Sequence, residues 1–325
     1  MSIYLAIDLG GTNVKYGLVS EDHKLLAYDS IRTQDNNETA DQISKNIIEA
    51  CLKLLKEKAF SKSDIKAIGI GVPGTSVNRT GVYIFTGNLP FRNYPLRAKF
   101  QETFSCPIFI GNDANLAALA ESRLGAGNGA IHSVVLTLGT GLGAGVVINN
   151  RVYSGFNETG CEFGHTVIVV DGEPCTCGRK GCLEAYVSAP GLIRDTQRAI
   201  SSHPDSILAQ VAAESGNISG RTAFDAKRQG CPVAKQVVDQ YTSYLGHGIA
   251  NVINSYMPEV VIIGGGISHE GQELLEDCKA KALPQAFVHG DVRPPRIVLA
   301  SLGNSAGTLG AALFAEDCLE DGLDF

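Results

Sequence analysis

The chain has 325 residues, of which 44% carry hydrophobic side chains, and its formal net charge is -7. This length exceeds what one hydrophobic core usually supports, so we expect two domains or one large α/β domain with lobes. An acidic balance argues against nucleic acid and anionic membranes as partners, and it favours chemistry on small molecules.

The start of the chain and the cysteines predict the compartment. Residues 1–20 lack a basic start, a long apolar stretch and a cleavage-like end, and no later run approaches ~18 apolar residues. Nine cysteines are an odd number for a disulfide framework, and a reducing compartment would keep them as thiols. We therefore expect a cytoplasmic protein that does not span a membrane.

The first elements are a β-hairpin and a helix. Residues 3–8 (IYLAID) and 13–20 (NVKYGLVS) predict two strands joined by the tight turn LGGT. Apolar residues between 37 and 59 recur at helical spacing, and residues 67–72 (AIGIGV) predict a strand that reaches a VPG turn.

A second hairpin pattern occurs at residues 133–149. When Asp8 is placed over Thr137, Gly10 falls over Gly139. This internal repeat predicts two related lobes that each begin with a hairpin. Chance similarity between two glycine-rich turns remains an alternative.

The last third of the chain predicts a long helix, a strand and a closing helix. Apolar residues between 237 and 253 follow helical spacing, and residues 259–268 (EVVIIGGGIS) form a strand that enters a glycine turn. Residues 304–317 form a helix rich in Gly and Ala, whose small side chains we attribute to close packing.

Three glycine turns follow apolar strands, in DLGGTN (8–13), TLGTGLGAG (137–145) and IIGGGIS (262–268). Turns without Cβ atoms let backbone N–H groups converge on a phosphate, although a need for positive φ explains many glycines at strand ends. None of the three fits the P-loop or the Rossmann pattern. Asp8, Thr12 and Asn13 in the first turn suit a hydrated Mg²⁺ beside phosphate oxygens.

These segments resemble sugar kinases of the ROK family. LAIDLGGTNVK is similar to the family's first phosphate loop, LTLGTGLGAGV to its second and VVIIGGGIS to its adenosine loop, and the resemblance extends from residue 4 to about residue 313. It implies an α/β, two-lobed, actin-like ATPase fold built on RNase H-like sheets. The predicted lobes are residues 1–112 with 304–325, and residues 113–303 with a zinc-binding loop.

The resemblance also implies which residues bind ATP and Mg²⁺. They are Asp8, Gly10, Gly11, Thr12, Asn13, Lys15, Gly139, Thr140, Gly141, Gly264, Gly265 and Gly266.

A strand-to-helix junction in IGNDANLAALAE (110–121) carries Asn112 and Asp113. Phosphorylation of an alcohol requires a positioned carboxylate that accepts the hydroxyl proton, and ROK kinases use the Asp of this pair. We assign that catalytic role to Asp113 and sugar binding to both residues. An Asp at this place could instead be a helix N-cap.

A metal-ligand pattern lies in CEFGHTVIVVDGEPCTCGRKGCLEAY (161–186). His165 with Cys175, Cys177 and Cys182 makes a closed tetrahedral set that suits structural Zn²⁺, and the family carries the same run. Two core cysteines or a redox pair remain alternatives for the CxC sequence. Cys161 falls outside the motif, and we expect a buried thiol there.

Further residues are predicted on the sugar side. The metal loop would fix Glu162 and Glu184 so that they accept hydrogen bonds from sugar hydroxyls, and His165 could donate its second ring nitrogen. A lone Glu is usually a solvated surface charge. Gly74 and Asn88 resemble the family's remaining sugar loops, and local turn chemistry explains them about equally well.

The resemblance to ROK kinases implies an enzyme that phosphorylates the C6 hydroxyl of a hexose with ATP, with glucose as the first choice because the complete zinc motif with Glu162, His165 and Glu184 is typical of ROK glucokinases. Kinases for allose, N-acetylmannosamine, N-acetylglucosamine, mannose or fructose share most of these residues, and polyphosphate could replace ATP as donor. A sugar-responsive ROK regulator, a non-catalytic sugar-binding protein and an actin-like ATPase are the alternatives of other classes. The family resemblance implies a homodimer or homotetramer.

Overall fold

The computed structural model describes residues 2–34 and 38–325, and the chain forms two compact units. The first unit comprises Met1–Ile131, Gly145–Cys161 and Leu302–Phe325. The second unit comprises His132–Ala144 and Glu162–Ser301. The predicted lobe division into residues 1–112 with 304–325 and residues 113–303 stays a prediction.

Runs of strands and runs of helices follow one another along the described residues, and parallel strands occur in both large sheets, which confirms the predicted α/β class. The strands are β1 (Ile3–Leu9), β2 (Asn13–Ser20), β3 (Leu25–Arg32), β4 (Ile65–Val72), β5 (Thr75–Val77), β6 (Val82–Phe85), β7 (Arg92–Tyr94), β8 (Ile108–Asn112), β9 (Ser133–Leu138), β10 (Leu142–Ile148), β11 (Arg151–Tyr153), β12 (Val260–Gly264) and β13 (Arg296–Leu299). The helices are α1 (Ala40–Glu57), α2 (Leu96–Gln101), α3 (Asp113–Arg123), α4 (Glu184–Val187), α5 (Ala189–Ser202), α6 (Ile207–Ser215), α7 (Thr222–Arg228), α8 (Pro232–Tyr256), α9 (Gln272–Ala282) and α10 (Ala306–Glu320).

The main sheet of the first unit has the strand order β3-β2-β1-β4-β8. Strands β1, β2 and β3 are antiparallel neighbours, whereas β1, β4 and β8 run parallel. The predicted hairpin is confirmed, with Asp8 opposite Lys15. Because parallel strands end at the same edge of a sheet, the residues that follow β1, β4 and β8 come together there.

The second large sheet repeats this strand order. Its order is β11-β10-β9-β12-β13, and β9, β12 and β13 run parallel. Asp8 lies opposite Gly71 on the neighbouring parallel strand, and Thr137 lies opposite Gly264 in the same way. The predicted repeat is therefore confirmed in the strand order, and Asp8 and Thr137 occupy corresponding positions.

Helix α1 covers the first sheet with its apolar side. Its buried residues are Ile43, Ser44, Ile47, Ile48, Cys51, Leu54 and Leu55, which follow the predicted helical spacing. Thr39 caps the helix by accepting a hydrogen bond from the Gln42 N–H, so α1 begins at Ala40. Residue 37, where the prediction starts, lies outside the described residues.

Close packing of the C-terminal helix is confirmed. A Cβ on Gly310 of α10 would overlap the Leu116 carbonyl of α3, and one on Gly69 of β4 would overlap the Ala311 carbonyl. Glycine at these places lets the backbones approach one another. Helix α10 thereby fixes α3, whose first turn carries Asp113.

Helix α8 supports the region around α4 in the second unit. Gly248 of α8 packs against Leu183, and the Tyr241 hydroxyl donates a hydrogen bond to the Val187 carbonyl at 2.9 Å.

Within residues 2–34 and 38–325, α8 and the other helices all lack the length or the apolar character needed to cross a membrane.

Candidate functional site

Three parallel strands of the first unit end beside one another at residues predicted for the site. Asp8 near the end of β1 is opposite Gly71, and Val72 at the end of β4 is opposite Asn112. Ligands of open α/β sheets bind outside the carboxyl ends of the strands. The register therefore brings together Asp8, the turn at Gly74 and the Asn112–Asp113 pair at one such edge.

Asp8 is a nearly buried carboxylate beside the start of α10. Its side chain is 16% exposed, and the Lys15 Nζ lies 3.9 Å from its Oδ2. Burial raises the pKa of the Asp8 carboxyl, and Lys15 opposes that shift in part. A Cβ on Gly307 would overlap the Asp8 carboxylate, so glycine at 307 leaves room for this side chain. A buried carboxylate of this kind fits a bound cation.

Lys15 is held by residues that are not among those predicted from the sequence. Its Nζ donates to the Asn304 Oδ1 at 3.3 Å, and the Tyr28 hydroxyl donates to the Asn304 carbonyl at 3.1 Å. The Gly- and Ala-rich pattern of residues 304–317 predicts close packing. It gives no sign that this segment also contacts Lys15 and Asp8. Asn304 and Gly307 therefore join the set around Asp8.

The first glycine turn, residues 10–12, is closed by backbone hydrogen bonds. The Gly10 N–H donates to the Asn13 carbonyl at 3.0 Å, and the Thr33 hydroxyl donates to the Gly10 carbonyl at 2.6 Å. Gly11 packs directly against the side-chain amide of Asn88. The structure thus brings a residue predicted for phosphate and one predicted for sugar into contact, while the side chains of Thr12 and Asn13 are exposed.

Asn112, and not Asp113, caps helix α3. The Asn112 Oδ1 accepts a hydrogen bond from the Asn115 N–H at 3.1 Å, and its Nδ2 donates to the Gly74 carbonyl at 3.1 Å. Asp113 is the first helical residue, and its Oδ1 accepts from the N–H of Ala114 at 2.9 Å. The alternative that Asp113 is merely the N-cap is therefore wrong. A carboxylate in the first turn is stabilised by the helix dipole.

Gly74 has a positive φ of 83°. Only glycine adopts such a conformation without strain, so local turn geometry explains the residue by itself. Its carbonyl also binds Asn112, which joins the turn after β4 to the end of β8.

The second and third glycine turns, residues 139–141 and 264–266, differ in why they contain glycine. Of the seven glycines in the three turns, only Gly265 has a positive φ, at 83°. Apart from the chain neighbours of each glycine, a Cβ on Gly139 or Gly266 would meet no heavy atom of the described residues within 4 Å. Neither a positive φ nor a close neighbour among the described residues accounts for these two glycines. Thr140 is exposed in the middle of the second turn.

The predicted metal ligands come together in the second unit. The ligand atoms of His165, Cys175, Cys177 and Cys182 all lie within 4.8 Å of one another. The Cys177 and Cys182 sulfurs are 3.7 Å apart, and the Cys175 sulfur is 3.7 Å from the His165 Nδ1. A disulfide requires sulfurs ~2.05 Å apart, so none of these cysteines forms one. The set fits a tetrahedral metal ion, whereas a pair of core cysteines does not describe it.

Residues 165–182, here called the metal-ligand hairpin, owe their shape to two glycines. Gly178 and Gly181 have positive φ values of 87° and 77°. The Gly178 N–H donates to the Cys175 carbonyl at 3.0 Å, and the Cys175 N–H donates to the Arg179 carbonyl at 2.9 Å. These turns aim the sulfurs of Cys175 and Cys177 at the same point. Cys161 lies outside this group and is only partly buried, contrary to the prediction of a buried thiol.

The two predicted sugar-side glutamates occupy different surroundings. The Glu184 Oε2 accepts from the Leu142 N–H at 3.0 Å, and its Oε1 accepts from the Thr176 hydroxyl at 3.1 Å. Glu162 reaches solvent, yet the surrounding protein raises the pKa of its carboxyl; His165 opposes that shift and Glu184 adds to it. The side chain of Glu184 is thus fixed by hydrogen bonds to both of its carboxylate oxygens. No sequence signal identified Thr176 as its partner.

A family model described as the ROK family matches residues 4–318 of the chain. A glucokinase from Halalkalibacterium halodurans is 38% identical over 312 residues, which are 94% of this chain and 93% of that protein. The family model therefore covers every predicted site residue and most of both units.

Two solved structures extend this similarity to the fold. A ROK hexokinase from Thermus thermophilus superposes with a TM-score of 0.84 at 32% identity, over 98% of this chain and 100% of that one. A ROK family glucokinase from Streptomyces griseus, solved in complex with glucose and AMPPNP, gives a TM-score of 0.78 at 32% identity, over 97% of this chain and 100% of that one. The predicted actin-like ATPase fold is thereby confirmed.

Proposed function

Because the chain belongs to the ROK family, we propose that it transfers the γ-phosphoryl group of ATP to the C6 hydroxyl of a hexose, with glucose as its substrate. The observation that carries this proposal is the position of Asp113 on the first turn of α3, at the strand edge that also holds Asp8. In phosphoryl transfer to an alcohol, one carboxylate accepts the hydroxyl proton, and another holds the Mg²⁺ that binds the nucleotide phosphates. Asp113 and Asp8 are suited to these two roles.

Asp113 acts as the general base. It accepts the proton of the C6 hydroxyl as that oxygen attacks the γ-phosphate. General-base catalysis of this kind accelerates the chemical step by ~10²–10⁴-fold. Asn112 orients sugar hydroxyls with the parts of its amide that do not bind Asn115 and Gly74. Gly74 and Asn88 supply weaker contacts to the sugar.

The nucleotide side consists of the three glycine turns with Asp8, Thr12, Asn13, Lys15 and Thr140. The N–H groups of the turns donate to phosphate oxygens, and Lys15 adds a positive charge near Asp8. Asp8 would hold Mg²⁺ through its nearly buried carboxylate, with Thr12 and Asn13 beside it. A bound Mg²⁺ supplies neutralisation of the phosphate charge.

The metal-ligand hairpin binds structural Zn²⁺. Tetrahedral zinc with sulfur ligands at ~2.3 Å places two sulfurs ~3.8 Å apart. The observed 3.7 Å between Cys177 and Cys182 agrees with that value. Four protein ligands leave no open position for water or substrate. The His165 Nδ1 faces Cys175, so its Nε2 is the atom that donates to the sugar, beside Glu162 and Glu184.

The proposal includes the setting in which the enzyme works. Metal-binding thiols must stay reduced, which fits a cytoplasmic location. We propose that the chain forms a homodimer or homotetramer, for which size-exclusion chromatography with light scattering gives the direct measurement.

A coupled assay of ADP release over a panel of hexoses and N-acetylhexosamines tests the function. We expect the highest kcat/KM with glucose, formation of glucose 6-phosphate and little ADP release without sugar. A higher kcat/KM with allose, N-acetylmannosamine, N-acetylglucosamine, mannose or fructose would identify that sugar, and not glucose, as the preferred substrate. Sugar-independent ATP hydrolysis would indicate an ATPase, and the same assay with polyphosphate identifies the donor.

A further inference from the structure

The two carboxylate oxygens of Glu184 bind different parts of the second unit. Oε2 accepts from the backbone N–H of Leu142, the residue that directly follows the second glycine turn. Oε1 accepts from the hydroxyl of Thr176, which lies between two metal ligands, Cys175 and Cys177. One side chain therefore joins the metal-ligand hairpin to the second glycine turn.

The turn itself is shaped to admit this carboxylate. A Cβ on Gly141 would lie 2.6 Å from the Glu184 Oε2, so a side chain there would push this carboxylate aside. Gly141 has no positive φ, so the nearby carboxylate, and not backbone strain, favours glycine at this position. A second link starts from the same segment, because the Ala189 N–H donates to the Gly139 carbonyl at 2.8 Å.

On the other side, Thr176 is fixed by its neighbours. Metal binding by Cys175 and Cys177 would determine the position of the residue between them. The Cys175 sulfur lies 3.5 Å from the Glu184 Oε1, but a metal-bound thiolate carries no proton to donate. With the metal bound, the Thr176 hydroxyl is therefore the side-chain donor to this oxygen among the described residues.

We propose that Thr176 and Glu184 form a strut through which the metal-ligand hairpin sets the geometry of the second glycine turn. Thr176 is a positioning residue in this scheme, since it acts on the nucleotide through Glu184 and Leu142. The inference rests on the proposed function, because it takes the turn to be a binding site for nucleotide phosphates. The structural metal then supports the nucleotide side of the reaction as well as the sugar side.

Thr176→Val tests the strut, with Thr176→Ser as the matched control. Valine keeps the shape and removes the hydroxyl, whereas serine keeps the hydroxyl. For Thr176→Val we expect the Kd of AMPPNP, measured by calorimetry without sugar, to rise by about 3- to 10-fold, which corresponds to the loss of one hydrogen bond. Amide exchange at Leu142 should become faster while elemental analysis still finds one metal per chain. Thr176→Ser should restore both values.

Gly141→Ala tests the same strut from the turn. Its added Cβ would displace the Glu184 carboxylate without touching a metal ligand, so exchange at Leu142 tests the strut even if Thr176→Val is purified with less metal. We expect faster exchange at Leu142 and unchanged metal content; the Kd for AMPPNP should also rise, but Gly141 is itself assigned to the nucleotide, so the exchange at Leu142 is the deciding readout.

The result that overturns the strut is an unchanged Kd and unchanged Leu142 exchange in Gly141→Ala and in metal-replete Thr176→Val. A role confined to the sugar side predicts that outcome, because the binding measurement contains no sugar. Failure of the proposed function looks different, since the wild-type protein would then phosphorylate no hexose.

Discussion

The two large sheets have corresponding strand orders, but the residues at the carboxyl ends of their parallel strands are stabilised by different means. In the first unit, Asn112 ties the end of β8 to Gly74, and α10 packs closely on α3 through Gly310. In the second unit, Glu184 ties the second glycine turn to a hairpin that carries four metal-ligand side chains. One edge is held by packing and a helix cap, and the other is tied to the metal-ligand hairpin.

This difference separates chemistry from support. The first edge carries the carboxylates that we assign to proton and cation binding, Asp8 and Asp113, on elements of the packed core. The second edge presents glycine turns and the two glutamates that we assign to the sugar side, and Glu184 ties it to the metal-ligand hairpin. Loss of the metal should therefore damage the second edge while leaving the first one intact.

Removal of one metal ligand should have the largest effect. We expect Cys177→Ser to lose the metal and all measurable sugar phosphorylation, because a structural zinc contributes ~10–16 kcal/mol of apparent binding free energy. Elemental analysis and the coupled assay measure both results. Cys161→Ser is the control, since this cysteine lies close in sequence but outside the ligand set, and it should keep metal and activity. Full activity in a metal-free Cys177→Ser protein would contradict the account.

Removal of the proposed base should leave the structure of the first edge intact. For Asp113→Asn we expect kcat to fall by ~10²–10⁴-fold, while glucose affinity and Tm stay close to wild type, because Asn112 remains the helix cap. Asp41→Asn, in the first turn of α1, is a matched change at another helix start and should keep kcat. Near-wild-type turnover of Asp113→Asn would end the assignment of the base.

The variant Gly266→Ala should show whether position 266 requires glycine for contact with the nucleotide or for the conformation of the backbone. Apart from the chain neighbours of Gly266, no atom of the described residues lies within 4 Å of the added Cβ, and φ is not positive. We therefore expect Gly266→Ala to keep the stability or to raise it by ~0.4–1 kcal/mol. The KM for ATP should rise by about 10-fold, a loss of ~1.4 kcal/mol, with the KM for glucose unchanged. Unchanged KM for ATP would mean that the third glycine turn does not touch the nucleotide.

The pH dependence of Asp8 should give the smallest effect. Burial raises the folded-state pKa of Asp8 above its unfolded value, so the fold favours the protonated carboxyl. Stability therefore falls as pH rises from the unfolded pKa through the folded pKa, and the penalty is complete above it. We expect Asp8→Asn to raise Tm at pH 7 in the absence of Mg²⁺ and nucleotide, and the gain should shrink as pH falls. Scanning fluorimetry between pH 4 and 8 measures this; a lower Tm of the variant at pH 7 is the opposite result.

The elements with strong local patterns could be predicted from the sequence. The hairpin at residues 3–20, the junction at Asn112 and the long helix α8 follow from apolar spacing and turn residues, and the His165 and cysteine spacing is a local chelating motif. The repeat of two hairpins also predicted that the two large sheets are related. In each case the residues that interact are close together in the chain.

Contacts between distant residues could not be predicted in this way. Gly307 beside Asp8, Asn304 on Lys15 and Leu142 under Glu184 all depend on how separate elements pack. The reason for each glycine was hidden as well, because a glycine required by a close neighbour looks the same in sequence as one that makes room for a ligand. Only coordinates distinguish Gly141 from Gly139.

Hydrogen exchange of the wild-type enzyme, metal-loaded and after chelation, tests the contrast between the two edges most directly. The account predicts that removing the metal accelerates exchange in residues 139–142 and 162–189, while residues 3–20 and 108–123 keep their protection. Equal acceleration in both regions, or none in either, would contradict it.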